Sequence, residues 1–408
     1  MASRRDYRKE NSKNTMYLII GAIIVVLVII GAFVGVQHHK AEQARIAAEN
    51  KKQIAFNKTH FNPNVKIYGV NVGKMTVAKA TAKIQSNAKN RVTVKNNKYT
   101  TSVDTNAKTI SSSEVQNYFN KQHTQLTSTK KYNFTNKIVN SGKKRLGKLM
   151  NASVDYKVGG KTFTLDAKKY VTQASYYSDK IHFDNVKALT SKLDRMDDQV
   201  KTLGKSYKVK VPAGKTITVK NQTYGWGIWT DSARNAVLKA YENGTKTVDG
   251  KDHIYGKGYT TVGLGYGKSN HGLGNSYVAV SLNAQELWVV RNGKTAVHLT
   301  DVVTGTKNGS STKDSDATPT GVWYIHYKQR NATLTGTNDD GSAYSSAVSY
   351  WMPFTLSGCG LHDASWRTDW SSTAYLEGGS HGCVNIRPSE IRSVWNAVKV
   401  HMPVIIYN

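Results

Sequence analysis

From Met16 to Val36 the chain runs through 21 consecutive apolar residues with no polar face. As a helix this run is about 31 Å long, the thickness of a bilayer core, so a transmembrane anchor is expected over 16–36. Its length and the lack of a small-residue cleavage site argue against a removed signal peptide. Beyond it the pattern becomes mixed. Residues 41–53 are rich in Ala, Glu, Gln and Lys and predict a helical stalk within 37–59. Val65 to Val70 predicts a strand. Thr76 can cap a helix over Val77 to Gln85, with Val77, Ala80 and Ile84 on one face. Val92 to Tyr99 predicts a strand pair turned at Asn96-Asn97.

The stretch from Val92 to Tyr99 recurs from Ile217 to Tyr224, with five of eight positions identical. Each copy leads into a helical pattern, Ser112 to Asn120 and Thr230 to Asn243. Two copies of one α+β module are therefore expected within 60–255. Residues 256–274 hold seven glycines, which predicts a flexible connector or an exposed hairpin over 256–275. From Ser276 strands dominate: Val278 to Leu282, Glu286 to Arg291, Thr295 to Val303, Gly321 to Tyr327 and Val404 to Tyr407. One helix is legible, Ser389 to His401, with Ile391, Val394, Trp395 and Val398 on one face. The fold class expected is a membrane-anchored multidomain chain, with α+β N-terminal modules and a mainly β C-terminal domain over 276–408, a sandwich or a partly closed barrel.

Charge changes this picture in two ways. The net charge is +30 over 408 residues, yet residues 272–408 carry ten basic and ten acidic groups. The whole excess therefore lies upstream and points to an anionic partner. Arg4, Arg5, Arg8, Lys9 and Lys13 precede the apolar run, so residues 1–15 are expected as a cytoplasmic tail and residues beyond about 37 as lying outside the cell. No nucleic-acid motif is present. Anionic cell-wall polymers or lipid headgroups fit better, against the plainer reading of a solvated, solubilising surface.

The candidate chemistry is concentrated in Ser380-His381-Gly382-Cys383-Val384-Asn385, with His362 upstream. The chain has two cysteines, and one of them stands here. A thiol needs a base to become a nucleophile near neutral pH, and two imidazoles are candidates. Gly382 leaves room for a substrate carbonyl beside main-chain N–H groups that could receive an oxyanion. Cys359 reads as a small apolar residue on a strand. A disulfide between the two cysteines would occupy the nucleophile.

His362, a long gap and Ser-His-Gly-Cys-Val-Asn together resemble the signature of the YkuD-type L,D-transpeptidases. Thr318-Pro319-Thr320-Gly321, Gly360-Leu361-His362-Asp363-Ala364 and Pro403-Val404-Ile405-Ile406 resemble further segments of that family. The upstream modules resemble the peptidoglycan-binding-like module of Gram-positive members. The resemblance implies a YkuD-like β-sandwich, with Cys383 as nucleophile and His362 as base. His381 would be a site residue pointing to the same side as Cys383, Ser380 would orient His362, and Asn385 would hold the loop or bind substrate. Gln329 to Trp351 resembles the family's substrate-covering flap, with Tyr344 as its aromatic. Trp351 and Trp366 are candidates to line the groove, and Arg367 and Arg387 to meet a substrate carboxylate.

The implied reaction is acyl transfer from a peptidoglycan tetrapeptide stem through a Cys383 thioester, releasing D-alanine and giving a 3→3 cross-link. With water as acceptor the same site is an L,D-carboxypeptidase. A wall-binding tether with little catalysis is the reading from another class. Thiol, imidazole and backbone donors suffice for the reaction, so neither metal nor other cofactor is expected. The competing metal reading joins Cys359, His362, His381 and Cys383 as a Cys₂His₂ set.

Overall fold

The computed structural model describes residues 36–87, 90–103, 110–135, 137–306, 316–338 and 340–408. Residues 16–35, nearly all of the expected anchor, lie outside this set. Among the described residues no helix is long and apolar enough to cross a membrane. The chain forms two compact units, residues 1–146 with 174–182 and residues 147–173 with 183–408. The division thus falls inside the upstream region rather than at the glycine-rich segment.

In the first unit, helix Val36–Asn57 includes the expected stalk. The strand expected over 65–70 is a tight hairpin, Val65–Ile67 against Val70–Asn71, because Tyr68 and Gly69 take positive φ. Helix Val77–Asn87 comes next, with the Thr76 hydroxyl accepting the Lys79 N–H at 3.4 Å. Its Ala80 and Ile84 pack with Phe61, Ile67 and Val115. Strands Asn90–Lys95 and Lys98–Val103 pair as expected, with Asn96 and Asn97 both left-handed. These are the residues that adopt that conformation most readily after glycine.

The second copy of the repeat does not form the same structure. Thr216–Lys220 pairs with the preceding strand, Ser206–Lys210, rather than with residues C-terminal to it. Asn221, the counterpart of Asn96, is buried. Its side chain accepts from the Tyr207 hydroxyl at 2.9 Å and donates to the Thr202 carbonyl at 2.8 Å. A side-chain anchor has replaced the turn, so the sequence likeness marks no structural repeat.

The C-terminal part of the second unit is a two-sheet sandwich. Strands β1 (Tyr277–Ser281), β2 (Glu286–Arg291), β3 (Lys294–Leu299), β4 (Gly321–Tyr324) and β9 (Pro403–Tyr407) form one sheet, in the order β3-β2-β1-β9-β4. Strands β5 (Gln329–Thr337), β6 (Ala343–Pro353), β7 (Gly360–Asp363) and β8 (Val384–Ile386) form the other, in that order. Within the sheets β1 and β9 are parallel, as are β7 and β8. Helix α1 (Ile391–Ala397) is shorter than the pattern predicted. Val278, Val280, Leu287 and Val289 meet Met352, Phe354, Leu361, Val384 and Ile386 between the sheets, closed by Ile391 and Val394. Each such side chain contributes about 1.5–3 kcal/mol when fully buried.

The other face of the first sheet is covered too. Ala279, Trp288, Val290, Val322, Tyr324 and Ile405 pack against Val209, Val219, Tyr224, Leu264 and Leu273 from upstream. This is why every residue of β1 and β9 is buried. The glycine-rich segment, expected as a flexible connector, takes part in this packing. The Tyr224 hydroxyl donates to the Gly272 carbonyl at 2.7 Å, and the Thr260 N–H donates to the Tyr324 hydroxyl at 2.9 Å.

Candidate active site

The site is set by the register of the second sheet. On β7, Leu361 points into the sandwich core. His362 is its neighbour and therefore takes the opposite face. It lies opposite Trp351 on β6 and Asn385 on β8. Cys383 immediately precedes β8. The stretch expected as a flap is the β5–β6 hairpin, and its distal half forms one wall of a cavity of about 440 Å³. That cavity collects Cys383, His362, His381 and Ser380 with Tyr344, Trp366 and Asn385. Gly336 permits this wall, since a Cβ there would lie 2.6 Å from the Tyr344 ring. Tyr344 in turn stacks on His381, with ring centroids 5.2 Å apart and planes 10° apart.

His362 is 3% exposed and sits between two indoles, Trp351 and Trp366, each with its centroid at 5.8 Å. Its Nδ1 faces the Asp363 carbonyl oxygen at 2.9 Å, which assigns the ring proton to Nδ1 and leaves the lone pair on Nε2. The Asn385 amide satisfies its surroundings in one orientation. Its nitrogen then donates to His362 Nε2 at 3.2 Å, and its oxygen accepts from Arg367 Nε and Nη2 at 3.0 and 3.1 Å. Burial, and secondarily the Arg367 charge, lower the His362 pKa against the opposing pull of Asp363. The imidazole is therefore neutral at neutral pH and able to accept a proton.

Cys383 is half-buried and packs against Ala332, Val348 and Trp351. Its sulfur contacts the Gly358 carbonyl oxygen at 3.7 Å. Burial, reinforced by neighbouring Cys359, pushes its pKa up to about 12, while the Gly360 N–H pulls the other way. The hydrogen bonds of thiol and imidazole thus run elsewhere, and the pair is held as neutral acid and neutral base.

The turn that carries the thiol is tightly fixed. The Ser380 hydroxyl donates to the Cys383 carbonyl at 2.6 Å and accepts the Gly382 N–H at 3.2 Å. Two expectations change here. Ser380 holds the nucleophile's own turn rather than His362, whose Nδ1 is engaged by Asp363. Of the main-chain N–H groups expected near the thiol as oxyanion donors, the one on Gly382 is already used by Ser380. The Thr318 hydroxyl donates to the Gly382 carbonyl at 2.9 Å and accepts from Gly305 at 3.0 Å. Gly382 itself has φ 102°, and a Cβ would lie 2.8 Å from the Cys359 sulfur. Only glycine fits that conformation and that approach.

Arg387 is not brought to the cavity. It pairs with Asp301 and lies 4.9 Å over the Trp370 ring, so its charge is spent in the scaffold. Arg367 lines the cavity instead. Trp351 is a core residue, and Trp366 lines the cavity at 49% exposure. Cys359 is buried in the sandwich core, and both cysteines are free thiols. Among the described residues no group of three His, Cys, Asp or Glu side chains is placed to hold a metal ion. Ser357 and Gly358, which close the cavity beside the thiol, carry no sequence signal beyond being small. A second cavity of about 610 Å³, lined by Thr318, Cys359, Tyr375 and His381 among others, shares His381 and Ser357 with the first.

A buried neutral histidine and a cysteine on a fixed turn, gathered in one cavity of a β-sandwich, are the groups that thiol-dependent acyl transfer uses. Residues 275–406 match the model of the L,D-transpeptidase catalytic domain, YkuD. L,D-transpeptidase 1 of Mycobacterium tuberculosis is 27% identical over 160 residues, 37% of this chain and 59% of the relative. The chain thus spans about three fifths of the length of the curated relative it matches. An Enterococcus faecium L,D-transpeptidase, solved as a cysteine-to-serine mutant, is 28% identical with a TM-score of 0.50, covering 64% of this chain and 98% of that one. The Ldtfm–avibactam carbamoyl enzyme gives 28% identity and a TM-score of 0.50, over 65% of this chain and 97% of that one. Both likenesses extend about twice as far along the chain as the catalytic domain, so part of the upstream architecture is shared.

Proposed function

We propose that this chain is a membrane-anchored L,D-transpeptidase that forms 3→3 cross-links in peptidoglycan. The observation that carries this reading is the single cavity holding Cys383, His362, His381 and Ser380 under the β5–β6 hairpin. The thiol of Cys383 attacks the carbonyl carbon of the L,D peptide bond of a tetrapeptide stem. Its proton passes to His362 Nε2, the unprotonated ring nitrogen, which exchanges the Asn385 amide donor for the thiol proton. The imidazolium then protonates the departing amine of D-alanine, leaving a thioester. The amine of a second stem attacks that thioester, returns a proton through His362 and regenerates the thiol. The two cavities meeting at His381 offer separate room for donor and acceptor stems.

Residues 16–36 hold the enzyme in the cell membrane with the N-terminus cytoplasmic and the catalytic domain facing the wall. The length of the apolar run and its basic flank support this placement. The basic excess upstream of Gly272 supports attachment to anionic wall polymers. The test is mass spectrometry of disaccharide-tetrapeptides incubated with the enzyme. Cross-linked dimers and free D-alanine are expected, and both should vanish with Cys383→Ala. Dimers formed by that variant, or none formed by the parent enzyme, would overturn the proposal.

A further inference from the structure

A cavity larger than either of those beside Cys383 lies in a part of the chain well removed from it in sequence. It measures about 860 Å³ and is bordered by helix Lys187–Val200, the start of helix Thr230–Asn243 and the loop over residues 251–263. Its apolar lining is left in water. Trp229 is 59% exposed, Val262 61% and Tyr255 37%. Aromatic surface left open within a concave site is what a ligand contact requires. The backbone that carries this lining is also fixed in place. The Trp229 N–H donates to the His253 carbonyl at 2.8 Å, and the Gly256 N–H donates to the Thr261 carbonyl at 2.6 Å. A backbone already ordered loses little further entropy on binding.

Polar groups surround these rings. Asp194, Asp197, Asp231 and Asp252 line the cavity. The Thr230 hydroxyl donates to Asp194 at 3.0 Å and the Ile228 N–H to Asp197 at 2.7 Å. Each of these carboxylates keeps lone pairs for further donors. Their charge is partly offset. Lys251 lies in the same wall, Lys201 pairs with Asp197 at 3.2 Å, and Arg234 pairs with Asp231 at 2.8 Å. Two further carboxylates share these cations, Asp198 with Lys201 at 2.6 Å and Asp249 with Lys251 at 3.3 Å, so the site is acidic within an otherwise basic part of the chain. A polyanion is repelled by the carboxylates, and a ligand with hydrogen-bond donors and no negative charge is accepted.

The ligand that fits has an apolar face for Trp229 and Tyr255, and hydrogen-bond donors at its edges for the carboxylates. A pyranose ring has both, in its C–H face and its equatorial hydroxyls. We propose that this cavity binds a neutral oligosaccharide of two or three rings, a size that suits its volume. The site goes beyond the catalytic reading and depends on neither Cys383 nor the basic surface.

The test is calorimetric titration of the full chain with chitotetraose as the neutral probe and 1,5-diaminopentane as the cationic one. Saturable chitotetraose binding is expected, unchanged by raising the salt or by alkylating Cys383. Trp229→Ala should weaken it about tenfold or more, the scale of an aromatic anchor, and Asp194→Asn several-fold. Trp229→Phe keeps a ring and should retain part of the affinity, so it carries the test if the alanine variant misfolds. No saturable binding would overturn the proposal, as would equal affinity in all three variants. Trp229-dependent binding of the diamine in place of the saccharide would overturn it in favour of a cation site. Polyanion attachment is salt-sensitive and saccharide binding is not, so failure of one leaves the other standing.

Discussion

The clearest consequence of the site concerns the charge state of Cys383 before substrate arrives. A thiolate–imidazolium pair would show a sulfur bonded to His362 and a depressed thiol pKa. Here the sulfur contacts Gly358, His362 is engaged by Asp363 and Asn385, and burial pushes the thiol up to about 12. Relative to the ordinary value of 9.0, the thiolate fraction near pH 7–8 is smaller by about 10³. The more basic thiolate is intrinsically a better nucleophile, which recovers roughly 15- to 30-fold. Alkylation of the free enzyme by iodoacetamide should therefore be roughly 30- to 60-fold slower than that of an exposed thiol. The rate should climb about tenfold per pH unit through pH 10 with no plateau near neutrality. The assay is the pH dependence of adduct formation at Cys383, read by peptide mass spectrometry so that Cys359 is counted separately. His362→Ala should leave this profile unaltered, because His362 is not bonded to the sulfur at rest. A plateau between pH 6 and 8, abolished by His362→Ala, would show a preformed ion pair and refute the reasoning.

The same geometry sets other outcomes. His362→Ala should slow acylation by substrate about 10²-fold or more, whereas His381→Ala should cost less and act mainly on KM, since His381 is exposed and stacked on Tyr344; single-turnover kinetics with both variants separate the two roles. Gly382→Ala forces a side chain into a φ of 102° and against the Cys359 sulfur. It should lower stability by about 1–3 kcal/mol in thermal unfolding, with part of the loss recovered in combination with Cys359→Ala. Binding of the chain to purified walls should fall as salt rises, because exposed charges are screened within about 8–10 Å at physiological ionic strength; co-sedimentation that ignores salt would leave the basic excess as solubilising charge only. A fragment of residues 276–408 uncovers Trp288, Val322, Tyr324 and Ile405, so it should melt several degrees lower than the longer chain and bind a hydrophobic dye, as monitored by fluorescence.

The chemistry was legible because it rests on one of only two cysteines in the chain, with its partners close by in sequence. Cys383, His381 and Ser380 are almost consecutive, and β7 and β8 need only pair in register to add His362 and Asn385. The strands were legible where one face is buried and the pattern alternates. The features that escaped depend on partners distant in sequence. Nothing local distinguishes Asn221 from Asn96, yet one is anchored to Tyr207 and Thr202 while the other forms a turn. Arg387 looks as available as Arg367 until Asp301, 86 residues earlier, is seen to hold it. Glycines at 256–274 suggested freedom, but several are there because neighbours come close. A Cβ on Gly256 would meet the Val262 carbonyl at 2.1 Å, and one on Gly263 the Trp226 side chain at 2.8 Å.

The covered outer face of the first sheet bears on the nucleophile itself. Strand β4 ends that sheet beyond β9, and an open edge exposes unpaired backbone groups. Here the edge is closed by upstream backbone, with Asn221 bridging to Val322 and the Gln222 N–H donating to the Val322 carbonyl at 3.0 Å. Gln222 also donates to the Thr320 carbonyl at 3.4 Å. Two residues before that lies Thr318, whose hydroxyl holds the Gly382 carbonyl. Hydrogen bonds from the upstream region to β4 and to Thr320 therefore lie two residues along the chain from the hydroxyl that holds the turn presenting Cys383. Packing on the far side of the sheet adds Tyr224 against Val322 and Tyr324. The region upstream of the catalytic domain is in this way part of what fixes the thiol, because the strand that follows Thr318, the residue bracing the nucleophile turn, has its free edge satisfied by residues 221 and 222.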